Sequence, residues 1–141
     1  MGHGQGTRYS ARAAKRRVAV PIGLVAGALI VWGVWWPGRR CQRVEVSGLS
    51  MAPALQPGDR LVVWRTKSVH PGDIVAAHDP RLPQRKVLKR VVDVGPAGLY
   101  VLGDNPEHST DSRRFGLVPV TLVEGRVVYR YAPPSRAGKL S

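Results

Sequence analysis

"KVLKRVVDV", residues 86–94, is a valine-rich run with no helical period, and its reading decides the fold. Valine is stiff about χ1 and packs well on a pleated surface, so the run reads as a strand. Side chains along a strand point to alternate faces, which sets Val87, Lys89 and Val91 on one side. An amine held between two β-branched neighbours is desolvated, and desolvation favours its neutral form. A lysine whose stem packs while its amine reaches water satisfies the same periodicity.

Similar runs lie on both sides of it. "RLVVW" (60–64), "DIVAAH" (73–78), "LYVLG" (99–103) and "GRVVYRY" (125–131) are short, dense in valine and bounded by Gly, Pro and Asp. Three boundaries carry a Gly-Asp pair: Pro57-Gly58-Asp59, Pro71-Gly72-Asp73 and Gly103-Asp104. They read as turns in which glycine takes positive φ and aspartate bonds back to nearby backbone. No segment past residue 45 holds a helical period over three turns, so the expected fold class is mainly β, in one compact domain over 37–132. Residues 133–141, "PPSRAGKLS", have no apolar period to bury and are expected to form a flexible tail.

The chain has 141 residues, of which 43% are hydrophobic, enough for one modest domain with a real core. Its formal charge of +13 suits either a nucleic-acid surface or work against anionic lipid. The distribution of charge separates the two. All nine acidic residues follow residue 44, while residues 1–17 carry Arg8, Arg12, Lys15, Arg16 and Arg17. Directly after this basic cluster comes "VAVPIGLVAGALIVWGVWW", residues 18–36, with no charged side chain. As a helix, these 19 residues would cover roughly 28 Å, close to the hydrocarbon thickness of a bilayer. Trp32, Trp35 and Trp36 would then sit at the headgroup level. A cleaved signal peptide begins with the same basic flank, but it needs small residues at its end, and this run ends in Trp-Trp-Pro-Gly-Arg-Arg. The expectation is a transmembrane helix over 18–36. Five Lys/Arg before it, against Arg39, Arg40 and Arg43 after it, favour a cytoplasmic N-terminus and a domain on the extracytoplasmic side of the cell membrane. A nucleic-acid module is disfavoured, because the domain shows no aromatic ladder and no helix carrying its charge on one face. A single thiol, Cys41, excludes an intramolecular disulfide framework.

One serine is held tightly. Ser50 stands between Leu49 and Met51, with Pro53 stiffening the chain behind it. A serine hydroxyl is a poor nucleophile until a base removes its proton. His70, His78 and His108 are available, with Asp79 and Asp111 near them in sequence, but none sits in a recognisable triad motif. Lys89 is the other candidate.

Three stretches resemble, in order, the serine, lysine and Gly-Asp-Asn boxes of the type I signal peptidase family: "SGLSMAPALQPGDRLVV" (47–63), "VLKRVV" (87–92) and "LGDNPEHSTDSRRFGLVPVTLVEGRVV" (102–128). The resemblance runs over about residues 44–130 and is most specific in the last stretch. It implies a serine endopeptidase that removes a signal or pro-peptide, with Ser50 as nucleophile and Lys89 as general base of a Ser-Lys dyad. It further implies that Ser109 orients the lysine amine and that Asp111 and Arg113 form a bracing ion pair. Gly48 occupies the place where some members carry a second oxyanion-hole serine, which leaves backbone donors, Ser50 N–H foremost. Met51 and the small residues Ala76 and Ala77 are expected to border the substrate, favouring small P1 side chains. Neither metal nor cofactor is expected. The expected partners are precursor proteins and the lipid bilayer, and no sequence feature assigns an oligomeric state.

The departures from the family pattern are specific. Ala54 replaces a common threonine, Pro106 an arginine, and "DVGPAGLY" (93–100) the usual Gly-Asp turn after the lysine box. Only Asp93–Val101 separates the lysine strand from Leu102, where larger members insert a second β domain. The chain is in this respect similar to the compact mitochondrial inner-membrane peptidases and to the maturation proteases of nickel-containing superoxide dismutase. Two further readings follow: a maturation protease dedicated to one such precursor, or a catalytically inactive membrane-anchored scaffold.

Overall fold

The computed structural model describes residues 40–140. The expected span over 18–36 lies outside these residues, and among those described no helix is long and apolar enough to cross a membrane. Seven strands form one antiparallel sheet: β1 (Cys41–Glu45), β2 (Arg60–Trp64), β3 (Ile74–Asp79), β4 (Leu82–Gly95), β5 (Gly98–Leu102), β6 (Val123–Ala132) and β7 (Gly138–Lys139). The order is β1-β2-β6-β3-β4-β5, with β7 paired to β6. One four-residue helix, α1 (Ser112–Phe115), precedes β6. The mainly β expectation therefore holds, with each expected run inside or overlapping a strand.

Burial explains the central position of β3. Ile74, Val75, Ala76 and Ala77 are all buried, with β4 on one side of the strand and β6 on the other. Alternation divides them: Ile74 and Ala76 join Met51, Leu55 and Leu61 in one apolar cluster, while Val75 and Ala77 join Val91, Leu99 and Val118 in the other. The edge strand β1 was not expected. It is short and carries Arg43 and Glu45 exposed, charges that protect an edge but mask its strand pattern.

Two of the three Gly-Asp pairs are the turns expected. Gly58 and Gly72 take φ of 87° and 96°, each behind a proline, as a type II turn requires. Asp59 and Asp73 each accept a hydrogen bond from the backbone N–H three residues earlier, at 2.9 and 2.8 Å. Gly103 is different, since its φ is not positive.

Residues 133–140 correct the expectation of a flexible tail. Pro134–Arg136 form a turn of 3₁₀ helix, β7 pairs with Tyr129 and Arg130, and Leu140 packs against the Met51 cluster. The binding is polar: Arg136 reaches Asp59 at 3.1 Å. A hydrophobic period could not reveal a segment held by guanidinium contacts across the fold.

Candidate active site

The site begins in the connection from β1 to β2. Leu55 N–H donates to Met51 C=O at 2.8 Å and Ala52 N–H to Leu49 C=O at 3.1 Å, closing a tight turn. Met51 and Leu55 are fully buried and hold that turn from beneath, while Ser50 stays half-buried at its surface. Burying two such side chains contributes on the order of 3–6 kcal/mol, so the serine's position is set by the core.

A second wall comes from the loop after β5. Asn105 N–H donates to Ser50 C=O at 3.0 Å. A Cβ on Gly103 would lie 2.5 Å from Ser50 C=O and 2.2 Å from Ser109 Oγ. Glycine is required here because two backbones meet, and not to turn the chain.

β4 supplies the third wall. Val87, Lys89 and Val91 are buried on one face, as strand alternation implies, and Lys89 is only 3% exposed. Its Nζ lies 2.7 Å from Ser50 Oγ. Burial pulls the amine's pKa down from 10.5 to about 8, against the attraction of Asp111 and with help from the charges of Arg85 and Arg113. A substantial neutral fraction is therefore present just above neutral pH.

Asp111 organises the support. It is fully buried, which alone would resist ionisation. Hydrogen bonds from Arg113, from Gly103 N–H and from Ser109 outweigh that and hold its carboxyl well below the usual carboxylate range. The ion pair with Arg113, at 2.7 Å, is the one the family resemblance implied. Ser109 differs from expectation: its hydroxyl donates to Asp111 Oδ2 at 2.6 Å. Asp111 in turn acts on Lys89 through its charge, which favours the ammonium. Two residues to which the sequence reading gave no role at the site complete the frame. Arg90, next to Lys89, makes a bidentate pair with Asp104 at 2.9 and 2.7 Å and donates to Gly72 C=O. The adjacency of Arg90 to Lys89 and of Asp104 to Gly103 was the available signal.

An open cleft of about 390 Å³ borders Ser50 and Lys89. Gly48, Met51 and Ala76 line it, and a Cβ at Gly48 would meet open space. Ala77 does not line it. One residue along β3 from Ala76, it faces the other cluster, because successive strand side chains take opposite faces. His108 lines the cleft, but the neighbouring carboxylate of Asp111 is occupied by Arg113, Ser109 and Gly103. His78 is bound to Glu124 at 2.8 Å. His70 is exposed beside Asp73 at 3.7 Å. None of the three histidines is joined to Ser50 among the described residues.

Residues 16–98 and 93–132 match the family described as signal peptidase, peptidase S26. The chain is 35% identical over 118 residues to mitochondrial inner membrane protease subunit 2 of Danio rerio, covering 65% of this chain and 64% of that protein. It is 36% identical over 123 residues to mitochondrial ATP-independent inner membrane protease subunit 1a of Arabidopsis thaliana, covering 68% and 73%. For the human subunit 2 the figures are 34% over 122 residues, 68% and 70%. The chain thus spans slightly less than two thirds of the first of these relatives.

Proposed function

The chain belongs to the signal peptidase S26 family, and on that premise we propose that it is a membrane-anchored serine endopeptidase that removes an N-terminal signal or pro-peptide through a Ser50–Lys89 dyad. The observation that carries this reading is the 2.7 Å separation of Ser50 Oγ and Lys89 Nζ, with the amine buried. A hydrogen-bonded nucleophile and base are what acyl transfer needs, and burial lowers the pKa of the amine toward the range where a neutral base is populated.

The chemistry follows from the positions. Neutral Lys89 takes the Ser50 proton as Oγ bonds to the scissile carbonyl carbon, and the carbonyl π pair moves onto oxygen. Backbone N–H groups of the serine turn, with Ser50 N–H foremost, face the developing charge, since Gly48 brings no hydroxyl. The Lys89 ammonium then protonates the departing amine as the C–N bond breaks, leaving an acyl-serine. Lys89 next takes a proton from water as the water oxygen bonds to the ester carbonyl carbon, and returns that proton to Ser50 Oγ as the acyl C–O bond breaks, which frees Ser50 and restores the neutral amine. Asp111, Arg113 and Ser109 brace the frame and transfer no proton. Met51 and Ala76 border the P1 side chain, and the small Ala76 favours a small one.

Residues 18–36 form the anchor in this reading, with the basic residues 1–17 on the cytoplasmic side. The names of the relatives, which are inner membrane proteases, support membrane association. The substrates are precursors presented at the bilayer, and a single dedicated precursor is compatible with so small a catalytic core.

Cleavage of an internally quenched peptide with an Ala-x-Ala junction tests the dyad. Ser50→Ala should lose at least 10³-fold in kcat, the scale of a missing nucleophile. Lys89→Arg keeps the positive charge but cannot accept a proton, so it should be as inactive as Lys89→Ala. An active Lys89→Arg enzyme beside a dead His108→Ala enzyme would transfer the role of base to histidine.

A further inference from the structure

Residues 133–140 return across the fold to the serine turn, and the contacts they make there are specific. Asp59, 1% exposed at the end of that turn, accepts from Arg130 Nη1 at 3.1 Å through Oδ2 and from Arg136 Nη1 at 3.1 Å through Oδ1. The same two guanidinium groups donate to backbone carbonyls that follow Ser50. Arg130 Nη1 reaches Ala54 C=O at 3.0 Å, and Arg136 Nη2 reaches Pro53 C=O and Ala54 C=O at 3.4 Å each. Arg130 Nε in turn donates to Arg136 C=O, which ties the two arginines to each other. Leu140 packs beside Met51 and Leu55, and Leu140 N–H donates to Val128 C=O at 3.3 Å.

We propose that residues 133–140 are a positioning strap for the nucleophile, with Arg136 as its clasp, fixing the Pro53–Ala54 backbone and thereby holding Ser50 at hydrogen-bond distance from Lys89. This rests on the Ser50–Lys89 reading. Carbonyls three and four residues after a nucleophile have no strand partner to hold them, and a planar guanidinium can bind a carboxylate and a carbonyl together. Arg136 does both, joining the backbone at Pro53 and Ala54 to Asp59 at the turn's end. A displacement of about 1 Å at a nucleophile can cost roughly 10²-fold in rate. Arg136 touches neither Ser50 nor the cleft lining, so its effect is on turnover and not on substrate contact.

The test compares wild type, Arg136→Ala, Arg136→Lys and Ser50→Ala as full chains in detergent, with the same quenched Ala-x-Ala peptide, well below each variant's melting temperature. Arg136→Ala should lower kcat at least tenfold while KM stays within twofold. Arg136→Lys, which keeps the charge but not the paired donors, should fall between it and wild type. The pH midpoint of kcat in Arg136→Ala should also move upward, because a loosened turn admits water to Lys89, a change that mere destabilisation would not produce. A kcat within twofold of wild type in folded Arg136→Ala, or a loss confined to KM, would overturn the strap. If Arg136→Ala fails to fold, Arg136→Lys decides on the same two readouts: unchanged kcat and midpoint overturn the proposal. Full activity of Ser50→Ala would instead sink the underlying reading of the site.

Discussion

A buried amine beside a hydroxyl carries a thermodynamic signature that can be read from the solvent side. Lys89 loses its proton at about 8 in the fold, against 10.5 for an ordinary lysine, chiefly because burial penalises the ammonium. If Lys89 is the general base, as proposed, its neutral form is the active one, and kcat/KM should rise with pH and level off above about 8. Stability should move in the same direction. Between about 8 and 10.5 the unfolded chain binds a proton that the folded chain has released, so unfolding becomes harder as pH rises through that window. The shift corresponds to roughly 3 kcal/mol at most, and below pH 8 the fold bears that penalty in full. Urea titrations of wild type and Lys89→Met across pH 7–10.5 check it: the gain should be present in wild type and missing in the variant. A rate that falls with rising pH, or equal gains in both proteins, would argue that Lys89 is an ordinary surface lysine whose amine reaches water.

Between elements, the decisive contact is the approach of the loop after β5 to the serine turn. Ser50 C=O is bonded to Asn105 N–H at 3.0 Å and lies against Gly103 with no room for a Cβ. Gly103→Ala would therefore force the two loops apart at Ser50. Overpacking of this kind typically costs about 1–3 kcal/mol. The expected result is a lowered melting temperature and at least a tenfold loss of peptide cleavage. Gly95→Ala is the control, since a Cβ there meets Gly98 C=O at an ordinary 3.8 Å and should be tolerated. The same contact shows how far sequence reading reaches. The face of Lys89 was legible from alternation with Val87 and Val91, but an amine that reaches water fits the same alternation, and the family pattern was what singled it out. Ser50 and the Gly-Asp-Asn box were legible because a family pattern fixes their order. The reason for glycine at 103 was not, because the pattern gives the residue and not the backbone 53 positions earlier that it touches. Ala77 was misassigned by one step of the same alternation. The Asp59–Arg130–Arg136 network was invisible for a related reason: its partners are 71 and 77 residues apart, and neither hydropathy nor local turn chemistry links them.

At the scale of the whole molecule, the cleft stands close in sequence to the apolar segment. Residues 18–36 end eight residues before Val44, the first residue lining the cleft. Even fully extended, eight residues reach only about 26–29 Å. If the segment crosses a bilayer, the site lies within that distance of the membrane surface, where a precursor still held by its own signal segment presents its cleavage junction. The expectation is that the full chain pellets with membranes and resists alkaline carbonate extraction, while a chain beginning at Arg39 is released. In a crossing segment, flanking charge would set the orientation, with five Lys/Arg before it and Arg39, Arg40 and Arg43 after it. Protease added outside intact spheroplasts should therefore digest the domain after Pro37 and leave residues 1–17 protected. Released from the membrane, the shortened chain should cleave the soluble Ala-x-Ala peptide at nearly the full-length rate, because every residue of the cleft is retained. It should cleave a precursor embedded in vesicles far more slowly, since anchoring both partners in one bilayer raises their effective concentration. Equal rates on the embedded precursor would show that the segment does not localise the enzyme, and protection of the whole domain in intact spheroplasts would reverse the orientation.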